Sequence, residues 1–218
     1  MSCSICKVRK EKRFCLALHD RICPQCCGKQ REFTLDCPSE CPYLQQARQH
    51  EKPRDFGEKL PEELFPTIEL GQEFLRQNEA FIAGLVQALL RLARGDRHLR
   101  DREIIGALTN MARSFQTLVT SGLVYQEASA NPAQLAIVDV LRRSLEEYRE
   151  VERQHLGYTA LRDTDVLKSL VFVIRLSHLH TSGRPLSRAF IDFLQEEFAE
   201  PHSSDELAAQ TGSRIIMP

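Results

Sequence analysis

All eight cysteines of this 218-residue chain lie between Cys3 and Cys41. A segment of about 40 residues cannot bury enough apolar surface to fold alone, so bound metal must supply its stability. The chain begins without an apolar signal sequence, which disfavours a secreted disulfide protein and predicts an intracellular, cytoplasmic location. We therefore predict a cysteine-rich, metal-binding module at residues 1–45.

The spacing of the cysteines divides them into two sets of ligands. Cys3-x2-Cys6 and Cys23-x2-Cys26 each have the short gap that lets two thiolates bind one tetrahedral zinc. We predict two structural zinc ions with interleaved ligands. The first set is Cys3, Cys6, Cys23 and Cys26, and the second set is Cys15, Cys27, Cys37 and Cys41. Zinc held by four thiolates has no open position for water, so neither site is expected to be catalytic.

Two alternatives concern the ligands and the metal. Cys26 and Cys27 are adjacent, with α-carbons about 3.8 Å apart, and can serve two ions only if the ions lie fairly close. In a more widely spaced arrangement His19 is the alternative eighth ligand, through Cys15-x3-His19-x3-Cys23. Iron–sulfur is the rival cofactor, because cysteine followed by proline occurs in such sites.

The order Cys3-x2-Cys6-x8-Cys15-x7-Cys23-x2-Cys26 resembles the front half of a B-box zinc finger. With His19 added, it also resembles a RING finger. Both resemblances imply two zinc ions in a cross-brace arrangement, often followed by long helices. The B-box resemblance implies recruitment of a partner or self-association, and the RING resemblance implies recruitment of a ubiquitin-conjugating enzyme.

The charge of the chain is distributed unevenly. Residues 1–54 contain eleven Lys or Arg and six Asp or Glu, whereas the remainder is acidic and the whole chain has a net charge of −1. Two basic segments are candidates for contact with an anion or nucleic acid, although the first could instead balance thiolate charge. The candidate residues are Lys7, Arg9, Lys10, Lys12 and Arg13 in the first segment and Arg184 and Arg188 in the second.

The sequence after the cysteines predicts helices. Apolar residues recur at steps of three and four beyond a linker at 46–61, which indicates an all-α, antiparallel helical bundle at 62–199 before a flexible tail at 200–218. Asn131-Pro132 is predicted to begin the third helix, and Asp163 or Thr164 to cap the fourth. Gly183 is predicted to end the fourth helix, and Pro185 to begin the fifth.

The function predicted from these patterns is non-enzymatic. The sequence has no P-loop, dinucleotide fingerprint or hydrolase signature, and no apolar run of transmembrane length that would predict a membrane partner. The fold class is predicted as mainly α, with a small two-zinc module before the bundle. We predict an interaction or adaptor protein that recruits a protein partner or self-associates. The alternatives are nucleic-acid binding, RING-like ubiquitin-ligase recruitment and iron–sulfur redox chemistry.

Overall fold

The computed structural model of the protein describes residues 2–50, 65, 67–124 and 131–198. The described residues form two strands and eight helices, which confirms the prediction of a mainly α chain. The strands are β1 (Arg13–Cys15) and β2 (Asp20–Ile22). The helices are α1 (Pro24–Gln30), α2 (Pro42–His50), α3 (Gln72–Gln77), α4 (Glu79–Gly95), α5 (Asp101–Ser121), α6 (Pro132–Leu156), α7 (Asp163–His180) and α8 (Ala189–Glu197).

The front region, residues 2–50, contains the hairpin and two short helices. Strands β1 and β2 pair antiparallel, with Phe14 opposite Arg21 and Cys15 opposite Asp20. Successive side chains of a strand point to opposite faces. Cys15 and Ile22 are accordingly buried, while Phe14 and Arg21 are exposed.

Helix α1 follows the hairpin directly because Cys23 acts as its N-cap. Cys23 has an extended backbone, its sulfur accepts a hydrogen bond from the Cys26 N–H at 3.4 Å, and Pro24 occupies the first helical position. Helix α2 begins after Cys41 and includes residues 46–50 of the predicted linker. The remainder of that linker, at 51–61, lies outside the described residues.

Helices α4 to α8 share one apolar core. Helix α5 lies against α6 and α7, and α4 lies against α6, α7 and α8. Each fully buried leucine or isoleucine contributes about 1.5 to 3 kcal/mol to folding. The fully buried core side chains include Phe81, Leu85, Leu89, Ile104, Leu108, Leu141 and Phe190. Among the described residues, no helix is both long and apolar enough to cross a lipid bilayer.

Some predicted helix boundaries are confirmed and others are wrong. Helix α6 begins at Pro132, and the Asn131 side chain caps it by accepting a hydrogen bond from Ala133 N–H at 2.9 Å. Helix α7, however, has Arg162 as its N-cap, so the prediction of Asp163 or Thr164 was wrong. The predicted tail at 200–218 lies outside the described residues.

The boundary between α7 and α8 was also predicted wrongly. Helix α7 ends at His180, before Gly183, and α8 begins at Ala189, after Pro185. The reason is a set of contacts between residues that are distant in the sequence. The hydroxyls of Thr181 and Ser187 both donate to Asp101 on α5, which holds the intervening residues in a turn.

Candidate metal centre

Four cysteines meet in the front region as the spacing predicts. The sulfurs of Cys3, Cys6, Cys23 and Cys26 all lie within 4.8 Å of one another. A tetrahedral zinc with sulfurs at about 2.3 Å requires sulfur–sulfur distances of about 3.8 Å, so a small contraction closes the site. Cys6 is half-buried, and the other three side chains are buried. This group could hold a metal ion.

Hydrogen bonds from backbone N–H groups help to hold the four cysteines close together. The Cys23 N–H donates to the Cys3 sulfur at 3.2 Å, which joins the two cysteine pairs across twenty positions of sequence. The turn after Cys6 is closed by Lys7, whose N–H donates to the Cys3 carbonyl at 2.8 Å. Lys7 has a φ of 56°, in the left-handed region. The local fold therefore aims four sulfurs at one point.

The four thiols differ in acidity. Backbone N–H groups of Arg9 and Val8 lower the pKa of Cys6 to about 6, because they stabilise its thiolate. Hydrogen bonding to the Cys23 sulfur, together with burial, raises the pKa of Cys26 to about 12. Four adjacent thiolates repel one another, so a bound cation is what allows all four to be deprotonated.

The second set of cysteines occupies one neighbourhood but is less compact. Burial, together with charge repulsion from the sulfurs of Cys41, Cys15 and Cys27, raises the pKa of Cys37 to about 11. No second group of three ligating atoms meets as closely as the first set within the described part of the chain. His19 is exposed in the hairpin turn, and Cys27 is buried on helix α1.

Two residues of the first basic segment face thiols. Arg9 donates to Cys23, which raises the pKa of Arg9, and Arg13 Nη1 lies 3.5 Å from the Cys27 sulfur. The Arg13 guanidinium also lies 4.6 Å from the centre of the Tyr43 ring. These contacts support charge balance as the role of both arginines. The other candidates, Lys7, Lys10 and Lys12, are exposed.

The hydrogen bond from Arg9 to the Cys23 sulfur leads to a prediction about zinc affinity. Replacing Arg9 with alanine removes a cationic donor to a ligand sulfur and is expected to weaken zinc binding by about 10-fold. Competition with a chromogenic chelator measures this affinity. Lys10→Ala is the matched control, because Lys10 is an adjacent, exposed cation, and it should leave the affinity unchanged. Equal affinities in the Arg9 variant and the wild type would contradict a supporting role for Arg9.

The candidate anion-contact arginines of the second segment, Arg184 and Arg188, donate to backbone carbonyl groups. Arg184 Nη1 donates to the Arg31 carbonyl at 2.6 Å and to the Gly28 carbonyl at 3.3 Å. Arg188 Nη1 donates to the carbonyl of Arg97 at 2.7 Å. Both guanidinium groups therefore have structural partners. Arg184 joins the front region to the turn between α7 and α8.

Sequence reasoning missed a polar cluster between α2 and α8. Arg48 Nη1 donates to Asp192 at 2.6 Å, and Arg48 Nη2 donates to Glu32 at 2.8 Å. The Ser39 hydroxyl donates to the same Asp192 carboxylate at 2.8 Å. Arg48 and Asp192 are 144 positions apart in sequence, and no local pattern links them.

These features define a class of protein, a mainly helical chain with a candidate four-cysteine metal centre at one end. No protein-family model matches the chain, and neither do any curated proteins or solved structures. The resemblance to B-box and RING fingers therefore has no family match behind it, and the four-cysteine group is the part of it that the structure supports.

Proposed function

We propose that this chain is a non-enzymatic zinc protein whose front region presents a recognition surface to a protein partner. The close approach of four largely buried sulfurs supports a structural metal site, because four-thiolate zinc has no open position for a substrate or water. The helical region, arranged as the predicted antiparallel bundle, is the platform on which the front region is held.

The proposal includes a second zinc, bound by the second set of cysteines. Metal analysis of the purified chain is expected to give two zinc ions. One zinc would refute the second site, and iron with an absorbance band near 400 nm would favour the iron–sulfur alternative. Cys27→Ser should lose one ion and His19→Ala none. The opposite pattern would make His19 the eighth ligand.

The recognition surface is the outer face of the hairpin. We define the hairpin face as Lys12, Phe14 and Arg21, where Phe14 and Arg21 are cross-strand neighbours and all three side chains are exposed. The Phe14 side chain is 48% exposed, and this observation carries the proposal. Aromatic residues and arginine are enriched where proteins bind one another. Three further large apolar side chains of the front region are exposed, namely Val8, Leu18 and Phe33.

Charge specifies the partner as an acidic polypeptide segment that also carries an apolar anchor. The side chains of Lys7, Lys10 and Lys12 are exposed, and Arg21 adds a further exposed cation. A nucleic acid is the weaker partner, because two four-thiolate zinc sites would each carry about −2 and cancel most of the basic excess. Arg9 and Arg13 also contact thiols.

Selection from a displayed peptide library tests this partner class. Peptides enriched on the zinc-loaded chain are expected to combine Asp or Glu with Phe or Leu. Phe14→Ala and Arg21→Glu should each weaken their binding by at least 10-fold, as expected for a buried aromatic anchor and a charge reversal. Matched changes on the helical region, Leu156→Ala and Arg76→Glu, should leave binding unchanged. Equal loss in all four variants, or no enrichment, would refute the proposal.

Nucleic-acid binding is the second candidate, because the same hairpin face offers a ring for stacking and cations for phosphate. A fluorescently labelled single-stranded DNA of 20 nucleotides is the probe for this binding. Binding that weakens with salt and is lost in a Lys10→Ala, Lys12→Ala double variant would favour this candidate over a protein partner. A dimer that persists in high salt would instead identify a second copy of this chain as the partner.

A further inference from the structure

The front region is joined to the helical region through Glu32. This carboxylate is buried and accepts hydrogen bonds from Arg48 Nη2 at 2.8 Å and from the Ser182 hydroxyl at 3.0 Å. The Glu32 carbonyl accepts a hydrogen bond from the Leu186 N–H at 2.9 Å. Glu32 has a φ of 52°, a conformation that a non-glycine residue keeps only when its surroundings impose it.

Further contacts flank Glu32 along residues 28–48, which we call the docking segment. Asp36 accepts a hydrogen bond from Arg100 Nη2 at 2.7 Å, and Ser39 donates to Asp192 at 2.8 Å. The junction is thus made of directional hydrogen bonds and ion pairs. Such contacts need the docking segment to hold one backbone conformation, because hydrogen bonds weaken steeply with distance and angle.

Cys27, Cys37 and Cys41 of the second set bracket residues 28–40 of the docking segment. Glu32 lies between Cys27 and Cys37, and Ser39 lies between Cys37 and Cys41. A metal ion bound by these three thiolates would close both loops and remove much of their conformational freedom. The first set brackets a different part of the chain, the turn after Cys6 and the hairpin.

The hydrogen bonds to the sulfurs of the first set remain within residues 3–26. The Cys3 N–H donates to the Arg9 carbonyl at 2.8 Å, and the Lys12 N–H donates to the Ile22 carbonyl at 3.1 Å. This part of the front region supports the hairpin face. Its cysteines are therefore separable, in their structural effect, from those that bracket the docking segment.

We propose that metal at the second set controls docking of the front region on the helical region, whereas metal at the first set shapes the hairpin face and leaves docking intact. The inference rests on the proposed function, because it requires the second ion. Its consequence is that loss of one particular ion releases the recognition surface from its platform without releasing the other ion.

Hydrogen exchange on the full-length, zinc-loaded chain tests this division. The reporter is the peptide covering residues 182–192, which contacts Glu32, Ser39 and Arg48. Cys37→Ser is expected to retain one zinc and to raise exchange of the reporter at least 10-fold. Cys6→Ser is expected to retain one zinc with reporter exchange equal to that of the wild type.

A third variant verifies the reporter. Asp192→Asn weakens two docking contacts without touching a cysteine, and should raise reporter exchange while both zinc ions remain bound. If Asp192→Asn leaves exchange unchanged, the docked arrangement itself is refuted, and the inference with it.

The remaining outcomes separate the inference from the proposed function. If the wild type binds one zinc and Cys37→Ser loses none, the second site and the inference both fail. If the wild type binds two and Cys37→Ser loses one without a change in exchange, the inference alone is overturned. It is also overturned if Cys37→Ser loses both ions, or if Cys6→Ser raises reporter exchange as much as Cys37→Ser does.

Discussion

Removal of bound metal by a strong chelator is expected to unfold the front region while helices α4 to α8 remain folded. Among the described residues of the front region, the buried apolar side chains other than cysteine are only Ile22, Leu35 and Leu44. At about 1.5 to 3 kcal/mol each, they cannot offset a backbone entropy cost of about 1 to 2 kcal/mol per ordered residue. Folding of the front region is therefore expected to depend on the free energy of metal binding.

Hydrogen exchange read by mass spectrometry measures this effect for both regions in one sample. Amides of residues 2–50 should lose protection on metal removal, and those of α5 and α7 should keep it. The control is the same chelator already saturated with zinc, which should change nothing. Protection of residues 2–50 that survives complete metal removal would show that the thiols do not need an ion to organise this region.

Replacing Asp101 with alanine is expected to lower the free energy of unfolding of the helical region by about 3 to 5 kcal/mol. The Asp101 carboxylate is buried and accepts hydrogen bonds from the hydroxyls of Ser187 at 2.7 Å and Thr181 at 2.8 Å. It also accepts from the Phe190 and Ile191 N–H groups at the start of α8. Alanine would leave all four donors buried without this acceptor.

Urea unfolding followed by circular dichroism measures the loss. Asp139→Ala on the exposed side of α6 is the matched control and should change stability by less than about 0.5 kcal/mol. A loss below about 1 kcal/mol for Asp101→Ala would show that water or a rearranged turn replaces the carboxylate.

The pH dependence of this effect has a definite sign. Burial raises the pKa of Asp101 above its usual value of 3.8, although four hydrogen bonds act in the opposite direction. A carboxyl group whose folded-state pKa is raised contributes most to stability below its unfolded value. That contribution declines as the pH rises through the folded value. The stability difference between wild type and Asp101→Ala is therefore expected to be smaller at neutral pH than in acid.

Local patterns predicted the parts of this molecule that local chemistry determines. The two-residue gaps of Cys3-x2-Cys6 and Cys23-x2-Cys26 identified four sulfurs that do come together. The dipeptide Asn131-Pro132 located the start of α6, because a capping side chain and a fixed proline φ act within one turn of helix. The apolar periodicity located the core helices, because residues three and four positions apart lie on the same face of a helix.

The features that local patterns did not predict depend on contacts between residues distant in the sequence. Gly183 and Pro185 suggested a helix end and a helix start, but the hydrogen bonds to Asp101 hold that stretch as a turn. The Arg184 guanidinium donates to the Arg31 carbonyl 153 positions away, a contact that no local pattern predicts. Glu32 gave no signal in the sequence, because its left-handed backbone comes from partners in α2 and in the turn after α7.

Helix α1 has a further consequence for the order in which the proposed ions enter. Cys26 and Cys27 are consecutive on this short helix, and neighbouring helical residues point about 100° apart. An ion that captures Cys26 therefore fixes the rotation of the helix and with it the direction of Cys27. The first set is also the one whose four sulfurs already lie within 4.8 Å of one another. Limiting zinc is therefore expected to fill the first site before the second, so half-loaded chains should precede fully loaded ones in a titration.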